Sequence, residues 1–494
     1  MNKILKFSTA VALILVVGAS CTDLKVKEID SVVLSSSDEF KPIDPTSGLL
    51  TLYKDLSGFT DQANTYALGT HSAAEMIPPT RGTDWGDNGV WRSLDQHTWN
   101  STHAQVEGVW FQLNQRAYKA TVVLASKPST AQAAEAKFIR AFNMFHLVDL
   151  YGQALFRQAT DAPLSNAPVL DRAAAYAQVI KDLTEALPVL PAGGPDAARF
   201  TATKGAANFL LARMVLNKAV FSTSGAGPYT FAAADMDQVI SYVDAITAAG
   251  YSLETSYFNN FTPNATKEAI LMCHPDGSPQ NRWFMTLHYD QEPSGWNGFT
   301  TLADFYGKFE ARDQRIGVAA KKDSSAFAGI GKGFLRGQQF DKNGKAIVEQ
   351  RGKTPLFFTD DIPLSGANVK QGIRVIKYHP AEAKQYNFMR YAEALLMKAE
   401  AQFRKGDAAG ALVSVNLLRV ARGATLLTAL TADVLFDERR RELYWEGYGR
   451  TDEIRFGKFT SGAGVVNKDA STTLYPIPAS ALAANPNLKQ NAGY

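Results

Sequence analysis

The chain has 494 residues, 46% of them hydrophobic and 20% charged, with a formal net charge of +3. That composition suffices for one large core or two joined ones. The near balance of 51 basic against 48 acidic residues leaves no electrostatic footprint for nucleic acid or an anionic membrane.

Lys3 and Lys6 precede an apolar run from about Val11 to Val17, and Gly18, Ala19 and Ser20 then lead into Cys21. The order is that of a bacterial export signal. The run is far short of the roughly 20 residues that span a bilayer. A cysteine directly behind small residues is the pattern of a lipoprotein leader, which predicts a signal peptide over 1–20 and acylation of Cys21. An ordinary secretory leader with a chance cysteine is the alternative. Loss of Lys3 and Lys6 leaves a charge of +1 (3 minus 2). No later stretch has the length of a spanning helix, so the body is expected to be held by lipid alone, at about 0.8 kcal/mol per buried methylene. Cys273 is the other of the two cysteines, so no internal disulfide is expected, and its apolar setting, Ile270-Leu271-Met272-Cys273, predicts a small packed hydrophobe. The seven histidines are scattered without metal-ligand spacing, which predicts neither metal nor cofactor.

Residues 22–46 are polar and mixed and read as a tether. From His103 the pattern is helical: Val106, Val109, Trp110, Leu113, Ala117, Ala120 and Leu124 recur at spacings of three and four, and Pro128 ends the run. A partner helix from about Ala131 carries Phe138, Ala141, Phe142 and Phe145. Further helices are predicted over 174–187, 203–221, 236–249, 386–404, 408–422 and 432–448. Ala-rich helices in succession predict stacked helical hairpins of degenerate tetratricopeptide type. Residues 251–385 break the helical period with Gly, Pro, Asn and aromatics, as do 70–102 and the tail 472–494. They are expected to form long loops with a few short strands or helices, the usual seat of binding on a rigid scaffold.

Four segments carry a resemblance: Thr203-Lys204-Gly205-Ala206-Ala207 with Leu210-Leu211-Ala212-Arg213; Arg390 through Ala401 (RYAEALLMKAEA); Glu438-Arg439-Arg440-Arg441-Glu442-Leu443 with Glu446-Gly447; and Pro476-Ile477-Pro478 with Asn485-Pro486-Asn487-Leu488-Lys489-Gln490-Asn491. In this order behind a lipoprotein leader, the chain resembles the SusD/RagB family of nutrient-binding lipoproteins of Bacteroidetes. The resemblance implies a mainly α fold with tetratricopeptide-like hairpins. It also implies a partner, a SusC-like TonB-dependent transporter that the lipoprotein covers, and a glycan or, in some relatives, a peptide as ligand. It places the protein on the outer membrane, facing the exterior.

Two of these motifs also have a plain physical reading. On the 390–401 helix, Tyr391, Leu395 and Ala399 are expected to face the core, with Glu393 unpaired along the helix and Lys398 and Glu400 solvated. From Glu438 to Glu446 the acids alternate with Arg, which favours ion pairing over general acid catalysis. The chain has no nucleophile elbow and no phosphate loop; Gly329-Ile330-Gly331-Lys332-Gly333 lacks the required spacing.

The richest candidate site is the run from Arg81 to Arg92. It combines Arg81, Asp84, Trp85, Asn88 and Trp91 in a Gly-punctuated loop, with Asp87 and Arg92 beside them. A sugar ring has an apolar face for an aromatic plate and hydroxyl edges for planar polar groups. One or both tryptophans could instead plug the core beneath the loop. A second cluster holds Asn281, Arg282, Trp283 and Phe284, then His288, Tyr289 and Asp290, then Trp296 and Asn297. Trp283, Tyr289 and Trp296 are its expected ligand contacts, forming the opposite wall of one groove with the first cluster, an ordinary loop core being the alternative.

The expected organisation is a leader over 1–20, a helical part over 21–250, and a loop-rich part over 251–494 packed as one body with it. The expected function is surface capture of a glycan or oligosaccharide, with delivery to the transporter and no enzymatic activity. Peptide uptake, and then a surface glycoside hydrolase, are the alternatives.

Overall fold

The computed structural model of the chain describes residues 40–494 apart from 163, 164, 196–198, 224, 281, 322, 324, 383 and 463. The leader and Cys21 lie outside the described residues. The first helix, α1 (Pro45–Asp55), opens where the Asp44 carboxylate accepts from Ser47 N at 2.9 Å and Pro45 sets the first turn. Two short helices follow, α2 (Asn64–Thr70) and α3 (Val90–Asp95). Then comes the long hairpin expected from the sequence, α4 (Ala104–Ala125) and α5 (Thr130–Leu150). The face of α4 read from the spacing is the buried one, with Trp110 wholly enclosed. Ser129 and Gln132 form a reciprocal cap that starts α5. At the other end of the hairpin the Tyr151 hydroxyl donates to Val106 O at 2.6 Å.

A short antiparallel pair, β1 (Gln153–Leu155) and β2 (Val169–Asp171), leads to α6 (Arg172–Ala186). The helix expected over 203–221 is two, α7 (Lys204–Leu216) and α8 (Lys218–Phe221). They part at Asn217, whose side-chain amide caps Arg213 O at 2.8 Å. Next comes α9 (Ala233–Ala248), and α7 is buried on every side. The middle segment contributes β3 (Ala269–Met272), the short α10 (Ala303–Tyr306), and a set of two- to four-residue strands. These are β4 (Gly317–Val318), β5 (Lys332–Leu335), β6 (Gly337–Gln338), β7 (Val348–Glu349), β8 (Thr354–Pro355), β9 (Phe357–Phe358), β10 (Arg374–Ile376) and β11 (Asn387–Arg390). After β11 come α11 (Tyr391–Arg404), α12 (Ala408–Ala421), α13 (Ala432–Leu443), α14 (Gly449–Arg455) and α15 (Ala479–Ala484). The fold is mainly α with few short strands, and consecutive helices pack as pairs: α4 with α5, α11 with α12, and α9 between α7 and α11.

Two readings of the C-terminal region need correction. Residues 387–390 are a strand rather than the first turn of a helix, because β3 takes up their backbone groups and α11 starts only at Tyr391. Glu393, without a partner along its own helix, finds one across it: α7 supplies Arg213, at 2.8 Å. Glu400 is not solvated; it is fully buried against Arg455 at 2.7 Å and Arg404 at 2.7 Å, and these guanidinium groups hold its carboxyl well below the usual range.

The row Glu438, Glu442 and Glu446 is a buried ion-pair lattice, and its cations come mostly from other segments. Arg315 reaches Glu438 at 2.8 Å, Arg390 reaches Glu442 at 2.6 Å and Glu446 at 2.7 Å, and Arg422 reaches Glu442 at 2.9 Å. Arg390 and Arg422 also meet Glu268, just before β3. Guanidinium neighbours hold Glu438 down at about 2 despite burial. The reading of this row as ion pairing holds. Cys273 is buried as a small hydrophobe.

Candidate functional site

Single backbone bridges bring distant loops to one place. Ile77 pairs with Thr300, and Thr301 pairs with Ile373. Thr80 N donates to Leu364 O at 3.0 Å, and Ala367 N donates to Thr80 O at 3.0 Å. The segments 77–92, 283–301 and 364–374 therefore lie side by side. The first turns tightly at Arg81 and Asp84, which exchange backbone hydrogen bonds of 2.9 and 3.0 Å. Trp85, Asp87 and Asn88 all have positive φ, of 63°, 36° and 52°, a conformation uncommon outside glycine that surrounding contacts must hold in place.

Those contacts come from the second cluster. The Trp85 indole donates to Trp296 O at 2.9 Å, and its ring packs 4.9 Å from Phe299 and 6.3 Å from Trp296. Gly298 lies against the indole: a Cβ there would stand 2.3 Å from the ring, so only glycine permits this approach. Trp296 is 52% exposed and is the exposed tryptophan of the seven. Its ring is 4.8 Å from that of Phe284, and Trp296 N donates to Phe284 O at 2.8 Å. Trp296, Phe284 and the outer part of Trp85 thus form a continuous aromatic surface.

Polar groups adjoin it. The Tyr289 hydroxyl donates to Asp84 Oδ2 at 2.6 Å; partial burial and this carboxylate push its pKa up to about 12. Arg351 lies 4.7 Å over the Tyr289 ring and 3.5 Å from Asp84 Oδ2. Beyond Arg351 opens a cleft of about 690 Å³, walled by Arg81, Thr83, Glu349, Arg351, Asn368 and Lys370 among others. This arrangement offers an apolar plate, a hydroxyl, a carboxylate and cations within one short reach.

The eight residues expected from the sequence separate into two groups. Asp84, Trp85, Tyr289 and Trp296 come together at the surface, and Asn88 is exposed nearby in the turn Asp87–Gly89. Of the other three, Trp91 is corrected. Trp91 is 8% exposed, starts the core beneath the loop as part of α3, and donates from its indole to Asp87 Oδ2 at 2.7 Å. Arg81 is buried, with its guanidinium on the carbonyls of Asn368 and Gly298. Trp283 is half-buried and packs on a small core of Leu287, Ile330, Leu335, Leu356, Phe358 and Ile376. Trp91 supports the surface from the core, Trp283 flanks it with its ring 5.8 Å from that of Phe284, and Arg81 lies beneath the cleft beyond Arg351. Phe284 stands in the second cluster but outside its expected contacts, and Arg351 and Lys370 are not singled out by the sequence. Phe284 had a signal, its place between Trp283 and Trp296; Arg351 and Lys370 had none, being two of many basic residues in the middle segment.

Comparison with known proteins agrees over most of the chain. Residues 249–494 match the family model described as the SusD family, and residues 57–216 match one described as starch-binding associating with outer membrane. The starch-binding protein SusD of Bacteroides thetaiotaomicron is 24% identical, covering 89% of this chain and 88% of its own. A SusD superfamily protein of Bacteroides vulgatus superposes with a TM-score of 0.70 at 17% identity, covering 93% of this chain and all of its own. Surface glycan-binding protein A of Bacteroides fluxus gives 0.67 at 17%, covering 92% of this chain. With both family models matching in order and the fold shared over 93% of its length, the chain belongs to the SusD/RagB family.

Proposed function

We propose that this protein captures a glycan or oligosaccharide at the cell surface, held to the outer membrane by lipid on Cys21, and passes it to a SusC-like TonB-dependent transporter. It is a binding protein and not an enzyme. The carrying observation is the exposed aromatic surface of Trp296, Phe284 and Trp85 next to Tyr289, Asp84 and Arg351. An aromatic plate desolvates the apolar face of a sugar ring while hydroxyl, carboxylate and guanidinium groups take up ring hydroxyls. The similarity to a starch-binding protein and to a surface glycan-binding protein supports the same reading. Among the described residues no helix is long and apolar enough to cross a membrane, so attachment through lipid and partner is the arrangement proposed.

Calorimetric titration of oligosaccharides into wild type and Trp296→Ala tests the proposal. Saccharide binding that the variant loses, at unchanged melting temperature, is expected. Binding that survives in full would place the site elsewhere; shortening of the sugars during incubation would overturn the non-enzymatic reading.

A further inference from the structure

The cleft beyond Arg351 is unequal in charge. Its lining carries Arg81, Arg351 and Lys370 against one acid, Glu349. That acid is turned inward: it is 2% exposed, and its carboxylate accepts from the backbone of Arg351 at 2.7 Å and of Gly352. The cations are not matched in this way. Arg81 is 3% exposed and spends its terminal nitrogens on the carbonyls of Asn368 and Gly298, while its Nε has no partner among the described residues. Arg374 lies behind it, fully buried over the Phe358 ring, and donates only to Asn297 Oδ1 and to the carbonyls of Val369, Gln371 and Gly372. Neither guanidinium meets a carboxylate among the described residues. The contrast within the same molecule is plain, since Arg315, Arg390 and Arg422 each meet two or three. At the rim Lys370 is held by the Thr354 hydroxyl at 2.8 Å, and Arg351 is 64% exposed with Asp84 at 3.5 Å. The turn 366–372 is thus pinned from below by two guanidinium groups that meet no carboxylate among the described residues, and edged by Lys370 and by an Arg351 that shares its charge with Asp84.

Resting on the saccharide reading above, we infer that the ligand is an anionic oligosaccharide whose carboxylate or sulfate group enters this cleft while a neighbouring ring lies on Trp296. The two anions share the chemistry that the cleft selects: oxygens of net negative charge facing guanidinium and ammonium donors. A neutral sugar would leave the positive excess unanswered.

The test is calorimetric titration, at low ionic strength, of the mature protein with an oligogalacturonate, a sulfated galactan oligosaccharide, neutral malto- and laminari-oligosaccharides of equal length, and an oligoglutamate peptide. One acidic saccharide is expected to bind at least about tenfold more tightly than the neutral ones, and the arm that does so distinguishes carboxylate from sulfate. The advantage should shrink as sodium chloride is raised. Arg351→Gln and Lys370→Gln, at rim positions, should each remove about tenfold of the acidic affinity without moving the melting temperature. Trp296-dependent binding of neutral sugars alone, insensitive to salt, would overturn the inference and leave the saccharide reading standing. Binding of the acidic peptide alone, or of nothing in the panel, would overturn both.

Discussion

Trp296 and Trp85 touch one another, yet truncation should separate them. Trp296 is half in solvent, so Trp296→Ala removes a contact surface and little of the core. Trp85 is half-buried against Phe299 and Gly298 and spends its indole N–H on Trp296 O. Trp85→Ala should therefore weaken saccharide binding and also lower the melting temperature, at a cost of about 2 kcal/mol, below the ~3–5 kcal/mol of a fully enclosed tryptophan. Thermal melts beside calorimetry check the pair; equal stability of the two variants would mean that Trp85 is not the support of the surface. A second residue carries a pH dependence. Glu75 is buried, with Trp445 N at 3.2 Å and Arg440 close by, and burial pushes its carboxyl up to about 8; the same cause raises Glu453 to about 7. The folded state then holds a proton that the unfolded chain has lost above pH ~4.5. Stability from Glu75 is complete below that pH and falls as pH rises toward about 8, by up to ~1.4 kcal/mol per unit. The buried histidines His71, His97, His146 and His288, lowered to about 3 or 4, act in the opposite sense, since the unfolded chain gives up their protons near pH ~6.5 and the fold gains stability there. The signature of Glu75 is therefore a difference: between pH ~6.5 and ~7.5 the wild type should lose stability relative to Glu75→Gln, and parallel melting curves of the two would contradict the assignment.

The acids of α13 and the glycine beside Trp85 show what elements contribute beyond their own residues. Glu442 is shared by Arg315, Arg390 and Arg422, which arrive from the middle loops, β11 and the end of α12. Glu442→Gln leaves three enclosed guanidinium groups around a neutral amide, a change expected to cost about 3–5 kcal/mol; chemical denaturation measures it. Gly298→Ala should be milder for the fold and harsher for the site. Its backbone is fixed by Gly298 N donating to Met285 O at 2.8 Å, so the new Cβ must displace the Trp85 ring. Tryptophan fluorescence should shift and saccharide affinity fall, with the melting temperature lowered by only a few degrees. The same elements show what sequence could convey. The period of α4 and the alternation along α13 were legible because helices write their burial locally. The strand β11 was not, since its state depends on β3, over a hundred residues earlier. Composition alone marked Asp84, Trp85, Tyr289 and Trp296. What separated Trp296 from Trp283 and Trp91 was the bridge of Ile77 to Thr300, a long-range pairing without a local trace. Arg351 and Lys370 needed that assembly too.

For the molecule as a whole, the proposed lipid anchor and the candidate site can be separated experimentally. The aromatic surface and the cleft are built from residues between Arg81 and Arg374, far along the chain from Cys21. Cys21→Ala should therefore leave the fold and the saccharide affinity intact while abolishing lipid attachment. Two or three acyl chains at about 0.8 kcal/mol per methylene hold a protein through any salt wash, whereas contact with a transporter alone is a protein interface open to dissociation. Fractionating cells with and without the transporter resolves the two tethers. The wild type should stay with outer membranes in both strains after high salt. The Cys21→Ala protein should be released from cells lacking the transporter, and be retained in part, and washed off, where the transporter is present. A variant that stayed on membranes in both strains would overturn lipid anchoring, and a variant indifferent to the transporter would remove the ground for direct hand-over, because a surface protein that passes its ligand inward must touch the pore that receives it.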